Sequence, residues 1–184
     1  MRILGISGSL RESSHNTALL RAAAELLPSG VELEVFDGLG DVPHYNEDID
    51  GENAPESVAR LRAAIADADA LLFATPEYNG TIPGVLKNAI DWASRPAHAG
   101  ALWGKTAAVV GGSTGAYGGL WAQADLRKAL GVAGVRVFGT DFPVARVHEQ
   151  LDATGQILDA TMADRLENHL RELVELATPE PVAA

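Results

Sequence analysis

Hydrogen-bonding side chains are concentrated where an apolar strand passes into a helix, in the sequence GISGSLRESSHNTALL at positions 5–20. They are hydroxyls, one amide and one guanidinium: Ser7, Ser9, Arg11, Ser14, Asn16 and Thr17. A helix N-terminus carries free N–H groups and a partial positive charge, so it favours anions. The segment therefore predicts a phosphate site. The alternative is ordinary helix capping by Ser14 or Asn16, and one residue can do both.

A second polar loop, TPEYNGTIPG, occupies positions 75–84. Its prolines stiffen the chain and its glycines allow the backbone to turn. Between them lie Glu77, a flat apolar Tyr78 and Asn79, whose amide is both donor and acceptor. This combination suits the edge of a heteroaromatic ring. A simple turn explains the prolines and glycines, but explains the three residues between them less readily.

A third loop, GGSTGAYGG at 111–119, is built mainly from small residues. Such a backbone can approach a flat ligand closely, and its N–H groups can bind ring carbonyls or stabilise negative charge. A flexible surface loop is the alternative interpretation.

The elements that position these loops alternate between strand and helix. Apolar runs predict strands at 2–6, 31–36, 70–75, 106–112 and 134–139, and helical periodicity predicts helices at 16–27, 58–68, 85–93, 120–130 and 158–177. This order predicts an α/β three-layer sandwich around a five-stranded parallel sheet, flavodoxin-like, with strand order 2-1-3-4-5. We expect one domain over 1–178 and a short tail over 179–184.

In such a sheet, ligands lie at the carboxyl ends of the strands beside the point where strand order reverses, and the three loops meet there. One phosphate cradle with two walls for a planar ring is what a mononucleotide such as FMN requires. The first loop has only Gly5 and Gly8, so it is not the G-x-G-x-x-G fingerprint of dinucleotide sites, and it lacks the G-K-[ST] of a P-loop.

Composition excludes several other classes. The 184 residues carry a formal net charge of −11, which argues against a broad nucleic-acid surface. The absence of cysteine excludes disulfides, thiolate metal sites and cysteine nucleophiles, and the five histidines show no metal-binding spacing, so no metal site is expected. No apolar run approaches the ~20 residues of a membrane span, and no signal peptide is recognised, so a cytoplasmic protein is expected.

Three motifs resemble the NAD(P)H-dependent FMN reductases of bacteria, a group that includes quinone, azo-dye and chromate reductases. They are GSLRxxSxN at 8–16, TPEYNGTIPGVLKNAIDW at 75–92 and LWGKTAAVVGGSTGAYGG at 102–119. The segment LDATGQILD at 151–159 shares the resemblance.

The resemblance implies non-covalent FMN in a homodimer or homotetramer. It assigns the phosphate to Ser9, Arg11, Ser14, Asn16 and Thr17. It assigns one wall of the ring site to Pro76, Glu77, Tyr78 and Asn79, and the other to Gly112, Ser113, Thr114, Gly115 and Tyr117. The helix at 85–92 would contribute to the dimer, with Trp92 or Trp103 near the interface.

The implied reaction is ping-pong hydride transfer from NADPH or NADH to the flavin, and on to a quinone, azo, flavin or metal-ion acceptor. The flavin carries the chemistry, so no catalytic side chain is assigned. The alternatives are a flavodoxin-like electron carrier and a module that senses flavin redox state, both without nicotinamide turnover.

Overall fold

Strands and helices alternate along the chain in the computed structural model, which describes residues 1–51, 54–152 and 154–178. The strands are β1 (Arg2–Ser7), β2 (Glu32–Val35), β3 (Ala70–Ala74), β4 (Thr106–Gly112), β5 (Arg136–Val137) and β6 (Pro143–Val144). The helices are α1 (His15–Glu25), α2 (Glu56–Asp67), α3 (Gly84–Ala93), α4 (Leu120–Val132), α5 (Val147–Gln150) and α6 (Ala160–Ala177). Two 3₁₀ turns, Leu39–Asp41 and Glu47–Ile49, interrupt the segment between β2 and α2.

The strands pair in parallel in the order β2-β1-β3-β4-β5, which confirms the predicted flavodoxin-like topology. Successive side chains of the central strands face opposite sides of the sheet, so each strand contributes to two cores. Leu71 and Phe73 of β3 pack with α2, α3 and α4 on one side. Leu72 packs with α1 and α6 on the other. The sheet is therefore covered on both faces.

The far edge of the sheet differs from the prediction of a strand over 134–139. Only Arg136–Val137 pairs there with β4, and the chain then leaves the sheet. It returns as β6, which pairs in parallel with Gly111 and Gly112 at the end of β4. Arg127 supports the excursion by donating hydrogen bonds to the carbonyl oxygens of Phe138 and Gly139. The sequence predicted neither this split edge nor α5.

Trp92 lies in the core and not at the surface, because its side chain is fully buried. Its indole N–H donates to the carbonyl of Pro43 at 2.7 Å, and its ring meets that of Tyr45 edge-on. Trp92 therefore presents no surface to a partner, and the expectation that Trp92 or Trp103 lies near a subunit interface stays a prediction. Trp103, by contrast, is about half exposed.

The boundary of the predicted domain at residue 178 stays a prediction, and the predicted tail, 179–184, lies outside the described residues. Across the described part of the chain, no helix combines the length and the apolar character needed to cross a bilayer.

Candidate functional site

A cavity of about 160 Å³ opens at the carboxyl ends of β1, β3 and β4, where all three polar loops meet. The predicted site residues on its wall are Ser9, Arg11, Ser14, Asn16, Pro76, Glu77, Tyr78, Gly112, Ser113 and Thr114. His15, which the sequence did not single out, also lines it. Four predicted residues, Thr17, Asn79, Gly115 and Tyr117, are not on the wall.

The N-terminus of α1 faces this cavity. Ser14 is its N-cap, and the Ser14 hydroxyl accepts a hydrogen bond from the Thr17 N–H at 3.2 Å. Asn16 is inside the helix, so capping by Asn16 is wrong. Within the described residues, the N–H groups of His15 and Asn16 have no hydrogen-bond partner. These two free donors and the positive end of the helix dipole are available to an anion.

Arg11 adds a cation to the same wall. Its guanidinium donates only a long 3.4 Å hydrogen bond to the Ser13 hydroxyl, and it forms no ion pair with any carboxylate in the described part of the chain. An unpaired arginine beside free helix N–H groups can donate charge-assisted hydrogen bonds to a phosphate.

Asn16 joins the first loop to the third. Its amide nitrogen donates to the carbonyl of Gly112 at 3.1 Å, and its amide oxygen accepts from the Gly112 N–H at 2.9 Å. Asn16 is 3% exposed, so this pair is removed from water. A Cβ on Gly112 would come within 3.0 Å of Val147, which explains the glycine at this position. Asn16 thus shapes the cavity wall through Gly112.

Thr17 faces the opposite side of the first loop. Its hydroxyl donates to the Ser7 hydroxyl at 2.8 Å, at the end of β1. It lines a neighbouring cavity of about 340 Å³ with Ser7 and Arg21, and Ser9 and Arg11 border both cavities. The hydroxyl of Thr17 therefore stabilises the first loop on the side that faces the neighbouring cavity.

Asn79 lies at the tip of a tight turn in the second loop. The backbones of Tyr78 and Thr81 exchange hydrogen bonds of 3.0 and 3.2 Å, and Asn79 and Gly80 both have positive φ, 54° and 77°. Positive φ at both central residues is the pattern of a type I′ turn, for which Asn-Gly is the strongest sequence signal. That signal was present in the sequence and explains why Asn79 lies off the cavity wall.

Glu77 ties the second loop to the start of α4. One of its carboxylate oxygens accepts hydrogen bonds from the N–H groups of Trp121 and Ala122, at 2.9 and 3.1 Å. A second link runs from the Thr81 hydroxyl to Asp125 at 2.6 Å. A carboxylate at a helix N-terminus is stabilising because it satisfies free N–H groups and opposes the helix dipole. Glu77 therefore anchors the loop that carries Tyr78.

The third loop is held by Gln123, a fully buried polar residue of α4 that the sequence did not single out. Its amide nitrogen donates to the carbonyl of Gly118 at 3.2 Å, and its amide oxygen accepts from the Phe142 N–H at 2.7 Å. The available signal was a glutamine on the apolar face of a helix, next to Ala122 and one turn before Leu126.

Aromatic side chains of the second loop, the third loop and α4 are exposed to solvent. Tyr78 is 48% exposed, Tyr117 is 62% exposed and Trp121 is 50% exposed, and the last two rings lie 4.9 Å apart. The amide of Gly115 is bound to the Ser113 hydroxyl at 3.0 Å. In the described residues the Thr114 N–H has no partner, so it is the free backbone donor of this loop on the cavity wall.

His15 is the unusual ionisable group of the site. Its Nδ1 is buried and has no hydrogen-bond partner in the described part of the chain. Burial lowers the pKa of His15 below its usual range, and the positive charge of Arg11 and the nearby His148 lower it further. No set of three or more His, Asp or Glu side chains in the described residues is arranged to hold a metal ion.

The chain is similar to known proteins along most of its length. The family model of NADPH-dependent FMN reductases matches residues 1–149. The NAD(P)H-dependent FMN reductase PA1204 of Pseudomonas aeruginosa is 43% identical over 174 residues, which are 94% of this chain and 93% of that protein. A 2-hydroxy-1,4-benzoquinone reductase from a Burkholderia species is 39% identical over 86% of each chain.

Among solved structures, the flavoenzyme NAD(P)H:(acceptor) oxidoreductase FerB of Paracoccus denitrificans superposes with a TM-score of 0.84, at 37% identity over 96% of both chains. A variant flavodoxin from Pseudomonas aeruginosa shares the fold at 20% identity, with a TM-score of 0.55. The chain belongs to the NADPH-dependent FMN reductase family.

Proposed function

We propose that this protein is an FMN-dependent NAD(P)H oxidoreductase that passes electrons to small planar acceptors, with quinones as the favoured class. One observation supports the proposal: free helix N–H groups, an arginine without an ion-pair partner in the described residues, and residues of the second and third loops meet at a single cavity.

The residues present fit the phosphate of FMN. A phosphate dianion offers only hydrogen-bond acceptors, and the described part of the first loop offers donors: the N–H groups of His15 and Asn16, the Arg11 guanidinium and the Ser9 hydroxyl. We infer that these groups hold the phosphate and that Ser14 and Thr17 keep the loop in shape.

The ring site is formed by the second and third loops. Pro76 and Tyr78 supply apolar contact on one wall, and the backbone of Gly112, Ser113 and Thr114 supplies the other. We infer that the free N–H of Thr114 donates to an oxygen or nitrogen at the ring edge where negative charge accumulates on reduction.

When bound, FMN supplies a site that accepts a hydride and returns two electrons. The chain's own groups bind and orient the cofactor and its partners. None of them needs to act as a nucleophile, so no catalytic side chain is proposed.

We infer the class of electron acceptor from the names of the relatives and from the aromatic side chain on the cavity wall. The relatives include a 2-hydroxy-1,4-benzoquinone reductase and proteins named quinone reductase. The exposed ring of Tyr78 on the cavity wall offers flat apolar surface, which suits stacking against a quinone.

A homodimer through the face between α3 and α4 completes the proposal, with a homotetramer as the larger alternative. A cavity of about 430 Å³ lies on this face, and Trp103 and Val132 border it with 48% and 83% of their surface exposed. A cytoplasmic location fits a reaction that consumes NAD(P)H.

The decisive experiment is the visible spectrum of the purified protein, reconstituted with FMN and titrated anaerobically with NADPH. We expect flavin absorbance, rapid bleaching by NADPH, and recovery on adding a quinone. A protein that binds FMN but is not bleached by NADPH or NADH would be an electron carrier or a sensor. A protein that cannot be reconstituted with FMN would contradict the proposal.

A further inference from the structure

His15 stands at the point where an incoming phosphate would arrive. It is the first residue of α1, and it lines the same cavity as Arg11. The cap residue Ser14 already forms its own hydrogen bond to Thr17. The ring of His15 is therefore not needed for capping, and its buried Nδ1 has no role within the described chain.

The charges around His15 are mainly positive. Arg11 faces it from the first loop and His148 from α5. Across the cavity, one carboxylate oxygen of Glu77 accepts from the start of α4. The carboxylate beside His148 is that of Glu149, which is paired with Arg146 at 3.2 Å.

Without an anion, the neutral form of the His15 ring is therefore favoured. Burial and its cationic neighbours hold the pKa of His15 below the ordinary 6.5. A phosphate dianion reverses both influences, because it supplies negative charge and a hydrogen-bond acceptor at the same place.

Resting on the proposed binding of FMN, we propose that His15 binds the FMN phosphate as an imidazolium, so that each binding event takes up a proton from solvent. A neutral ring could present its one N–H to a phosphate oxygen without taking up a proton, but the negative charge of the dianion stabilises the imidazolium relative to that form. A protonated ring donates a charge-assisted hydrogen bond.

Proton uptake on binding makes the affinity for FMN depend on pH. Because the complex holds a proton that the free protein lacks, FMN affinity falls as the pH rises above about 6.5, by at most about tenfold per pH unit. Below pH ~6 the phosphate itself protonates, which opposes further tightening. The window for the effect therefore lies above the second pKa of the phosphate.

The test is calorimetric titration of the FMN-free protein at pH 7.0 in two buffers of different ionisation enthalpy. The difference between buffers gives the protons taken up per FMN bound. We expect wild type to take up more protons than His15→Gln, by a large fraction of one proton. The exposed control His44→Gln should match wild type. Riboflavin, which lacks the phosphate, should show no difference between wild type and His15→Gln.

Equal proton uptake by wild type and His15→Gln with FMN would overturn the assignment, as would loss of the uptake in His148→Gln alone. If His15→Gln does not fold, NMR titration of the wild-type ring decides. The His15 pKa should rise when FMN is added, and an unchanged value would overturn the inference while FMN binding stands. A wild-type protein that fails to bind FMN removes both the inference and the proposed function.

Discussion

Asn16 and Gly112 are 96 positions apart in the chain, yet the side-chain amide of one forms paired hydrogen bonds with the backbone of the other. The pairing resembles a short ladder between two strands, with a side chain in place of the second backbone. It joins the first polar loop to the third.

Asn16→Ala removes both bonds and leaves the buried N–H and carbonyl of Gly112 without partners. The unpaired groups cost about 1–3 kcal/mol each, so we expect a loss of a few kcal/mol in the free energy of unfolding and weaker FMN binding. Urea denaturation and fluorescence titration with FMN measure the two effects. The exposed Asn168→Ala is the matched control. A variant as stable as that control would show that the pair contributes nothing.

Arg11→Ala tests the cationic donor of the phosphate site. Charge-assisted hydrogen bonds contribute about 1.5–3 kcal/mol, so FMN affinity should fall roughly 10- to 150-fold with little change in stability. Arg21→Ala, one cavity away on α1, controls for general loss of positive charge. Equal weakening by both substitutions would assign the effect to long-range attraction. Riboflavin affinity should not change in either variant.

Glu77→Ala tests the link between the second loop and α4. It leaves the N–H groups of Trp121 and Ala122 without their shared acceptor, and loss of such a cap costs about 0.5–2 kcal/mol. Glu77→Gln keeps an acceptor but loses the charge, so it should cost less. Chemical denaturation measures the free energy of unfolding of both variants and shows which of them loses more. A Glu77→Gln variant as stable as wild type, or more stable, would show that the carboxylate charge does not stabilise this helix end.

His169 predicts a loss of stability in acid. Burial between Phe138 and Phe142, with Arg127 and Arg165 nearby, lowers the pKa of His169 to about 4. The unfolded chain binds the proton at pH ~6.5, so this contribution is complete above pH 6.5 and is lost as the pH falls towards 4. The full loss is about 3 kcal/mol.

His169→Leu should remove that part of the pH dependence. The free energy of unfolding, measured between pH 7.5 and 4.5, should fall less steeply for the variant than for wild type. The exposed His44→Leu should keep the wild-type slope. Parallel profiles for wild type and His169→Leu would mean that the buried ring does not titrate as expected.

Steady-state kinetics test whether the nicotinamide leaves the protein before the electron acceptor binds. If oxidised nicotinamide leaves before the acceptor binds, double-reciprocal plots at several quinone concentrations should be parallel. Intersecting lines would require both molecules to be bound together, and would favour an opening wide enough to hold the two side by side.

The convergence of the three loops could be predicted because parallel strands all end at one edge of the sheet. The order of strands and helices therefore placed Arg11, Tyr78 and Thr114 near one another before any coordinates were known. The N-cap at Ser14 was also within reach of the sequence, because hydroxyl residues at a strand-to-helix junction have few other local roles.

What escaped prediction depends on tertiary contacts. Nothing local distinguishes Trp92 in the core from Trp103 at the surface, since one indole finds a carbonyl acceptor far away in sequence. Gln123 looked like an ordinary helical residue until its partners, Gly118 and Phe142, came together from two different loops. The Asn-Gly pair at positions 79–80 is a local signal, because it is typical of a tight hairpin turn.

The chain between β5 and β6 lies outside the sheet and leads into the strand that supports the third loop. Residues 138–142 do not line the cavity, yet the strand that follows them pairs with Gly111 and Gly112 and so sets the position of the third loop. Laboratory evolution towards bulkier electron acceptors should therefore select changes in residues 138–142, because they can alter the shape of the candidate site without replacing any residue on its wall.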